Sequence, residues 1–162
     1  DELSSFEMTG GSLTSGAGDM FYVTNTQAQI TLTSVALAQA EGAKLLCVEG
    51  NSGALGWGEA GRNGAQVAFT ANAQTLEGEV TVDAISTLEF VLSGGSTFEG
   101  SICIVENAQG GAAVGGNAHV VVGEGCVWTL SGDSSVSTLE NNGTIVFGGY
   151  TITLADGTVL SQ

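Results

Sequence analysis

An all-β chain wound into a single parallel β-solenoid is the fold class that three observations in the sequence predict. The first is an echo. Thr75-Leu76-Glu77-Gly78-Glu79-Val80-Thr81-Val82 returns 22 residues later as Thr97-Phe98-Glu99-Gly100-Ser101-Ile102-Cys103-Ile104. Self-similarity at about 20–25 residues, carried on alternating apolar positions, is the signature of one coil stacked on the next. The second is the presence of 26 glycines and no proline. Tight corners need residues that tolerate positive φ, and a proline inside a stacked strand deletes a ladder hydrogen bond. The third is period-two alternation nearly throughout, in a chain that is 43% hydrophobic, which separates it from acidic disordered tails.

In order, Phe6-Glu7-Met8 and Ser12-Leu13-Thr14 read as short strands on either side of Gly10-Gly11, and Gly16-Ala17-Gly18-Asp19 turns into a strand over residues 20–23. Gln29-Ile30-Thr31-Leu32-Thr33 alternates, with Ile30 and Leu32 facing inward. Residues 35–41 have helix-compatible composition but lie between strands, and are expected to form a strand and a turn; residues 44–48 form the next strand. A glycine-rich excursion over residues 50–64 then breaks the rhythm and carries Trp57, Glu59 and Arg62. Residues 67–70 resume the pattern, which is most regular from 75 to 105, with Val80, Val82, Leu88, Phe90, Leu92, Ile102 and Ile104 inward. A second glycine-rich excursion over residues 106–118 precedes Val120-Val121-Val122. The whole reads as one domain, residues 1–162, of six or seven coils at about 4.8 Å each, roughly 30 Å tall.

The last third, with Trp128-Thr129-Leu130-Ser131-Gly132-Asp133-Ser134-Ser135-Val136, then Leu139 and the Asn142-Gly143 turn, resembles coils of autotransporter passengers and other adhesin-like right-handed parallel β-helix surface proteins. The resemblance covers residues 127–154 closely and 75–104 more loosely. It implies a right-handed β-helix in an extracellular or cell-surface setting. The motifs are structural repeats, so they imply fold rather than ligand.

Charge narrows the partners. Seventeen Asp and Glu stand against only Lys44 and Arg62, a net charge of −15. Such a chain repels phosphate backbones and anionic lipid, so neither nucleic acid nor membrane insertion is expected, and no apolar run is long enough to span a bilayer. The chain opens Asp1-Glu2-Leu3-Ser4, without an initiator Met or signal peptide, as a processed chain or a piece of a longer one would. Three cysteines cannot all pair. Cys126 is in phase with Trp128 and Leu130 whereas Cys103 faces the other way, so free, mostly buried thiols are expected, with a Cys103–Cys126 bridge as the alternative.

Candidate chemistry is sparse. Lyase chemistry needs a cationic base and charge neutralisation, and Lys44 and Arg62 lie in different settings. Glycoside hydrolysis needs two carboxylates facing each other across a cleft, whereas the acids follow outward strand positions. The nonapeptide calcium repeat and a regular Thr-x-Thr ice-binding face are both missing. His119 reads as an exposed strand residue, Trp128 as core, and Asn142-Gly143-Thr144 as either a turn or a glycosylation acceptor. If the echo is one coil, Glu77 and Glu99 stack directly, and solvent screening, fanning apart or a Ca²⁺ ion between them would relieve the repulsion. Screening is the default expectation, and no cofactor is required. A glycine-rich loop cannot bury Trp57 by itself. The ring is expected to pack back on the solenoid, the other reading being a binding surface of Trp57, Glu59 and Arg62.

The expected function is a non-enzymatic structural or adhesive solenoid of a surface protein or fibre. The alternative is a carbohydrate-binding or carbohydrate-cleaving β-helix, which would make a carbohydrate or a host molecule the ligand. Neither terminus supplies a capping helix, so self-association or adjacent coils are expected to cover the open strand edges.

Overall fold

The computed structural model describes residues 2–162; Asp1, the first residue of the acidic opening, lies outside them. The described residues contain no helix, and a six-stranded wall counts six coils. The first coil holds β1 (Leu3–Thr9), β2 (Ser12–Thr14) and β3 (Phe21–Val23), and the second β4 (Gln27–Thr33), β5 (Ala36–Ala38) and β6 (Leu46–Val48). The third holds β7 (Gln66–Asn72), β8 (Thr75–Glu77) and β9 (Val80–Asp83), and the fourth β10 (Thr87–Ser93), β11 (Thr97–Gly100) and β12 (Ile102–Val105). The fifth holds β13 (Ala118–Val122), β14 (Val127–Leu130) and β15 (Ser134–Val136). The sixth holds β16 (Thr138–Asn141), β17 (Thr144–Val146) and β18 (Ile152–Leu154), before a final β19 (Val159–Leu160). The fold is thus the expected parallel β-solenoid.

The first wall runs β1-β4-β7-β10-β13-β16, and the third runs β3-β6-β9-β12-β15-β18. The echo is one coil: Thr97 pairs with Thr75, Ile102 with Val80 and Ile104 with Val82, all in parallel register. Its shared glycine has a physical cause, because a Cβ on Gly100 would collide with the Gly78 carbonyl and the ring of Phe98. Inward residues form one continuous core that includes Leu32, Phe69, Val80, Leu88, Phe90, Ile102 and Trp128. Running from the exposed Phe6 into the core, the rings of Phe6, Phe21, Phe69, Phe90, Phe98 and Trp128 form a chain with successive centroids 5.2–6.0 Å apart. Trp128 satisfies its indole N–H by donating to the Gly100 carbonyl at 3.0 Å.

The second wall is not continuous. It consists of two separate sheets, β2-β5 and β8-β11-β14-β17. Corner length explains the break. Residues 15–20 and 39–45 join the second wall to the third in the first two coils, where Gly78-Glu79 and then Ser101 suffice in the next two. The longer corners let β5 stand away from β8.

At the C-terminal end Thr158-Val159-Leu160 contributes β19, which folds back antiparallel on β18, pairing Ile152 with Leu160 and Thr153 with Val159, and becomes the outer strand of the third wall, while β16 and β17 are the outer strands of theirs. The Leu154 N–H to Thr158 carbonyl bond at 2.8 Å closes that hairpin. At the other end β1, β2 and β3 each head their sheet with an unpaired edge, as expected.

Candidate functional site

The two glycine-rich excursions leave the solenoid at the same corner, between the third wall and the first, one after β6 and the other after β12. Only the short Ala84-Ile85-Ser86 corner separates them in the stack. Asp83, at the end of β9, therefore lies between their feet. It is 2% exposed. Its Oδ2 accepts from the Gly50 N–H at 2.9 Å and from Asn107 Nδ2 at 2.7 Å, while its Oδ1 has no partner.

Each excursion is tied at both feet by asparagine. Asn51 and Asn63 clasp the first: Asn63 Oδ1 accepts from the Asn51 N–H at 3.0 Å, and Asn63 Nδ2 donates to the Asn51 carbonyl at 2.9 Å. Asn107 Oδ1 accepts the N–H groups of Gln109 and Gly111 at 3.1 and 3.0 Å. Asn117 Nδ2 donates to the carbonyls of Ala84 and Ser86 at 3.0 and 2.8 Å. The loops then touch each other, since a Cβ on Gly61 would lie 3.2 Å from the Gly111 Cα. Two segments that look independent in the sequence form one surface. Sequence reasoning counted Asp83 among the outward, solvated acids, which its burial corrects, and it missed Asn51, Asn63, Asn107 and Asn117, although an asparagine near each foot of both excursions was the available signal.

Trp57 corrects another expectation. Its ring is not packed back on the solenoid but is 55% exposed. Its backbone is what the loop holds, the Trp57 carbonyl accepting from Asn51 Nδ2 at 3.1 Å and Asn63 Nδ2 at 3.2 Å. The ring stands over a cleft of about 390 Å³ that it shares with Phe6, Tyr22, Ser5, Thr24 and Gln29. Phe6, in register with the inward Ile30, is exposed because no coil covers β1, whereas Tyr22 is exposed because it points outward, in the same row as Cys47.

The trio of Trp57, Glu59 and Arg62 does not converge. Glu59 and Arg62 pair with each other at 3.6 Å, both well exposed, and Arg62 lines a separate polar cleft with Glu2, Asn25 and Gln66. Glu77 and Glu99 are brought together as expected, directly opposite each other on β8 and β11 and both on the exposed side. They line a cleft of about 520 Å³ with Gln39. Among the described residues no three His, Cys, Asp or Glu side chains gather as a metal-binding group.

The remaining candidates are soon placed. All three cysteines are free, Cys126 in the core and Cys47 and Cys103 in the outward row of the third wall, so the Cys103–Cys126 bridge is not formed. Burial pushes the thiols of Cys47 and Cys103 up, Cys47 to about 11. His119, half-buried on the first wall, makes a short 2.5 Å contact from Nδ1 to Thr138 Oγ1. At Asn142-Gly143-Thr144 a Cβ on Gly143 would collide with the carbonyls of Cys126 and Gly123, so the chain requires glycine there for close backbone approach, whatever the state of Asn142.

No model of a known protein family, no curated protein and no solved structure matches this chain. What fold and site define is therefore a class: an all-β parallel solenoid that carries a two-loop surface at one corner and an aromatic cleft at the mouth of its first coil.

Proposed function

We propose that the chain is a non-enzymatic structural or adhesive solenoid of a surface protein, extended end-on either by further coils or by another copy. The observation that carries this reading is the first coil. Its three strands all present unpaired edges, β1 offers seven residues of backbone, and Leu3, Phe6 and Tyr22 lie exposed beside it. Unpaired edges next to uncovered apolar side chains favour continuation of the ladder by another strand. The charge of −15 opposes sideways clumping without blocking backbone pairing at the ends. The likeness of residues 127–154 to adhesin-type coils supports an extracellular or cell-surface setting.

Sedimentation velocity and electron microscopy over rising concentration test the self-assembly form of this reading. End-on oligomers that disappear in a Phe6→Lys variant are expected. A strictly monomeric chain whose β1 amides resist hydrogen exchange would sink it, because the edge would then be covered from within.

A second reading has its own observation, the cleft beneath Trp57. Exposed aromatic faces beside hydroxyl and amide groups suit a sugar ring, which stacks its C–H face and shares its hydroxyls. Glycan-array binding that vanishes in both Trp57→Ala and Tyr22→Ala would favour this carbohydrate-binding alternative.

A further inference from the structure

We infer that the break in the second wall, between β5 and β8, is a docking groove for an extended cationic peptide that inserts as an additional strand. The directions of the backbone groups follow from hydrogen bonds on the far sides. Ala36 N–H donates to the Gly11 carbonyl and Ser15 N–H to the Ala38 carbonyl, so these residues address the first coil, and Leu37 faces the break. On the other side Thr97 N–H donates to the Gln74 carbonyl and Gly78 N–H to the Glu99 carbonyl. By strand alternation, Thr75 and Glu77 then face β5. The two edges confront each other without a ladder bond between them.

Side-chain amides stand in for part of the missing ladder. The buried Gln74 grips Val35, accepting its N–H at 2.8 Å and donating to its carbonyl at 2.7 Å, and it also donates to the Thr75 carbonyl at 2.9 Å. Gln39 Nε2 donates to the Glu77 carbonyl at 2.9 Å. Gln74 pins the start of the break, and beyond it a cleft of about 510 Å³ opens along Leu37, Thr75 and Glu77. Gln39 is half-buried where Gln74 is buried, and an incoming strand has to displace its bond to the Glu77 carbonyl.

Charge selects the occupant. Glu77 on β8 and Glu99 on β11 both lie on the β8 side of the groove, and among the described residues lining its two clefts there is no Lys or Arg. Beside these acids a second copy, which brings 17 more acids and only two cations, is disfavoured in this lateral groove, as in sideways contact generally. A peptide with Lys or Arg at every second position meets the acids with its outward side chains and the two edges with its backbone. This is strand addition, with backbone bonds supplying affinity and alternate side chains supplying selectivity. The inference is independent of end-on assembly, and a chain that never oligomerises leaves it intact.

The test uses a fluorescent eight-residue peptide of alternating lysine and threonine, titrated by anisotropy. An inserted strand uses both of its edges, so N-methylation of either alternate set of peptide amides is expected to weaken binding by roughly tenfold or more. A Glu77→Gln, Glu99→Gln double variant is expected to weaken it by a similar factor, and Glu89→Gln on the first wall is expected to leave it unchanged. Absence of binding, indifference to N-methylation, or an equal loss in Glu89→Gln would each overturn the inference, the last two by showing adsorption to an acidic surface.

Discussion

The first two coils and the next two are built on the same strand pattern, yet they close differently. In the third and fourth coils, corners of two residues and one residue turn the second wall into the third, and every wall is continuous between them. In the first and second, corners of six and seven residues leave the second wall detached from the coil above. The break goes with the corner from the second wall to the third and not with the total length of the coil, because the long excursions after β6 and β12 leave the first and third walls paired. Where that corner lengthens, strands persist but their hydrogen bonds must be found elsewhere, here in Gln74 and Gln39. The long corner also has a second effect. It lays Lys44 across the third wall, where its Nζ donates to Thr81 Oγ1 at 3.2 Å, and residues of an outward row become buried.

The largest expected contrast is between core and break. Ile102→Asp places an unpaired charge in the continuous part of the core and is expected to cost about 4–5 kcal/mol or more, enough to unfold the domain. Leu37→Asp, in the detached part of the second wall, is expected to cost less than about 2 kcal/mol because water already reaches the cleft. Urea titration followed by far-ultraviolet circular dichroism compares them, and equal losses would abolish the distinction between the two regions.

Next is the clamp under the two excursions. Asp83→Ala leaves the Gly50 N–H and the Asn107 amide without their acceptor and is expected to cost about 2–4 kcal/mol. Asp83→Asn keeps that acceptor and changes only the unpartnered Oδ1 position, so it is expected to cost less. Limited proteolysis should cut both excursions together in Asp83→Ala. Cutting in only one would show that the loops are not a joint surface.

A smaller effect isolates the substitute ladder. Gln74→Ala orphans the backbone of Val35 and is expected to cost roughly 1–3 kcal/mol. Hydrogen exchange should quicken at Val35 and Leu37 while the amides of β7 and β9 stay protected. Uniform acceleration would mean that the break is not a local feature.

The smallest concerns pH. Burial raises the Cys47 thiol from 9.0 to about 11, an effect that the Thr81 hydroxyl only partly offsets. The unfolded chain therefore loses this proton first as pH rises. The associated stability is fully present below about 9, and is lost as pH rises from there through about 11. The melting temperature should fall across that window, and fall less steeply in Cys47→Ala. Cys103 and Tyr22 are raised in the same direction and leave a residual slope. An unchanged slope in Cys47→Ala would show that the long corner does not shield this row.

Much of this was legible beforehand because the governing physics is local. Alternation of period two places Ile30, Leu32, Val80, Leu88, Phe90 and Ile102 inward, and the echo sets Glu77 opposite Glu99. The candidate site was half legible. The excursions announced themselves by their glycines, and Trp57 by its isolation among them. Their union could not be read, because it depends on Asp83 reaching Gly50 and Asn107, 33 and 24 residues away in the chain.

The sequence by itself thus determined the coil, its inward residues and the places where the rhythm fails, since alternation and turn chemistry act between near neighbours. Only the tertiary structure decided which coils share a ladder, which loops share a corner and where the last strand pairs. Those outcomes depend on contacts between segments far apart in the chain: a few extra residues at one corner part β5 from β8, and a single hairpin turns β19 back on β18.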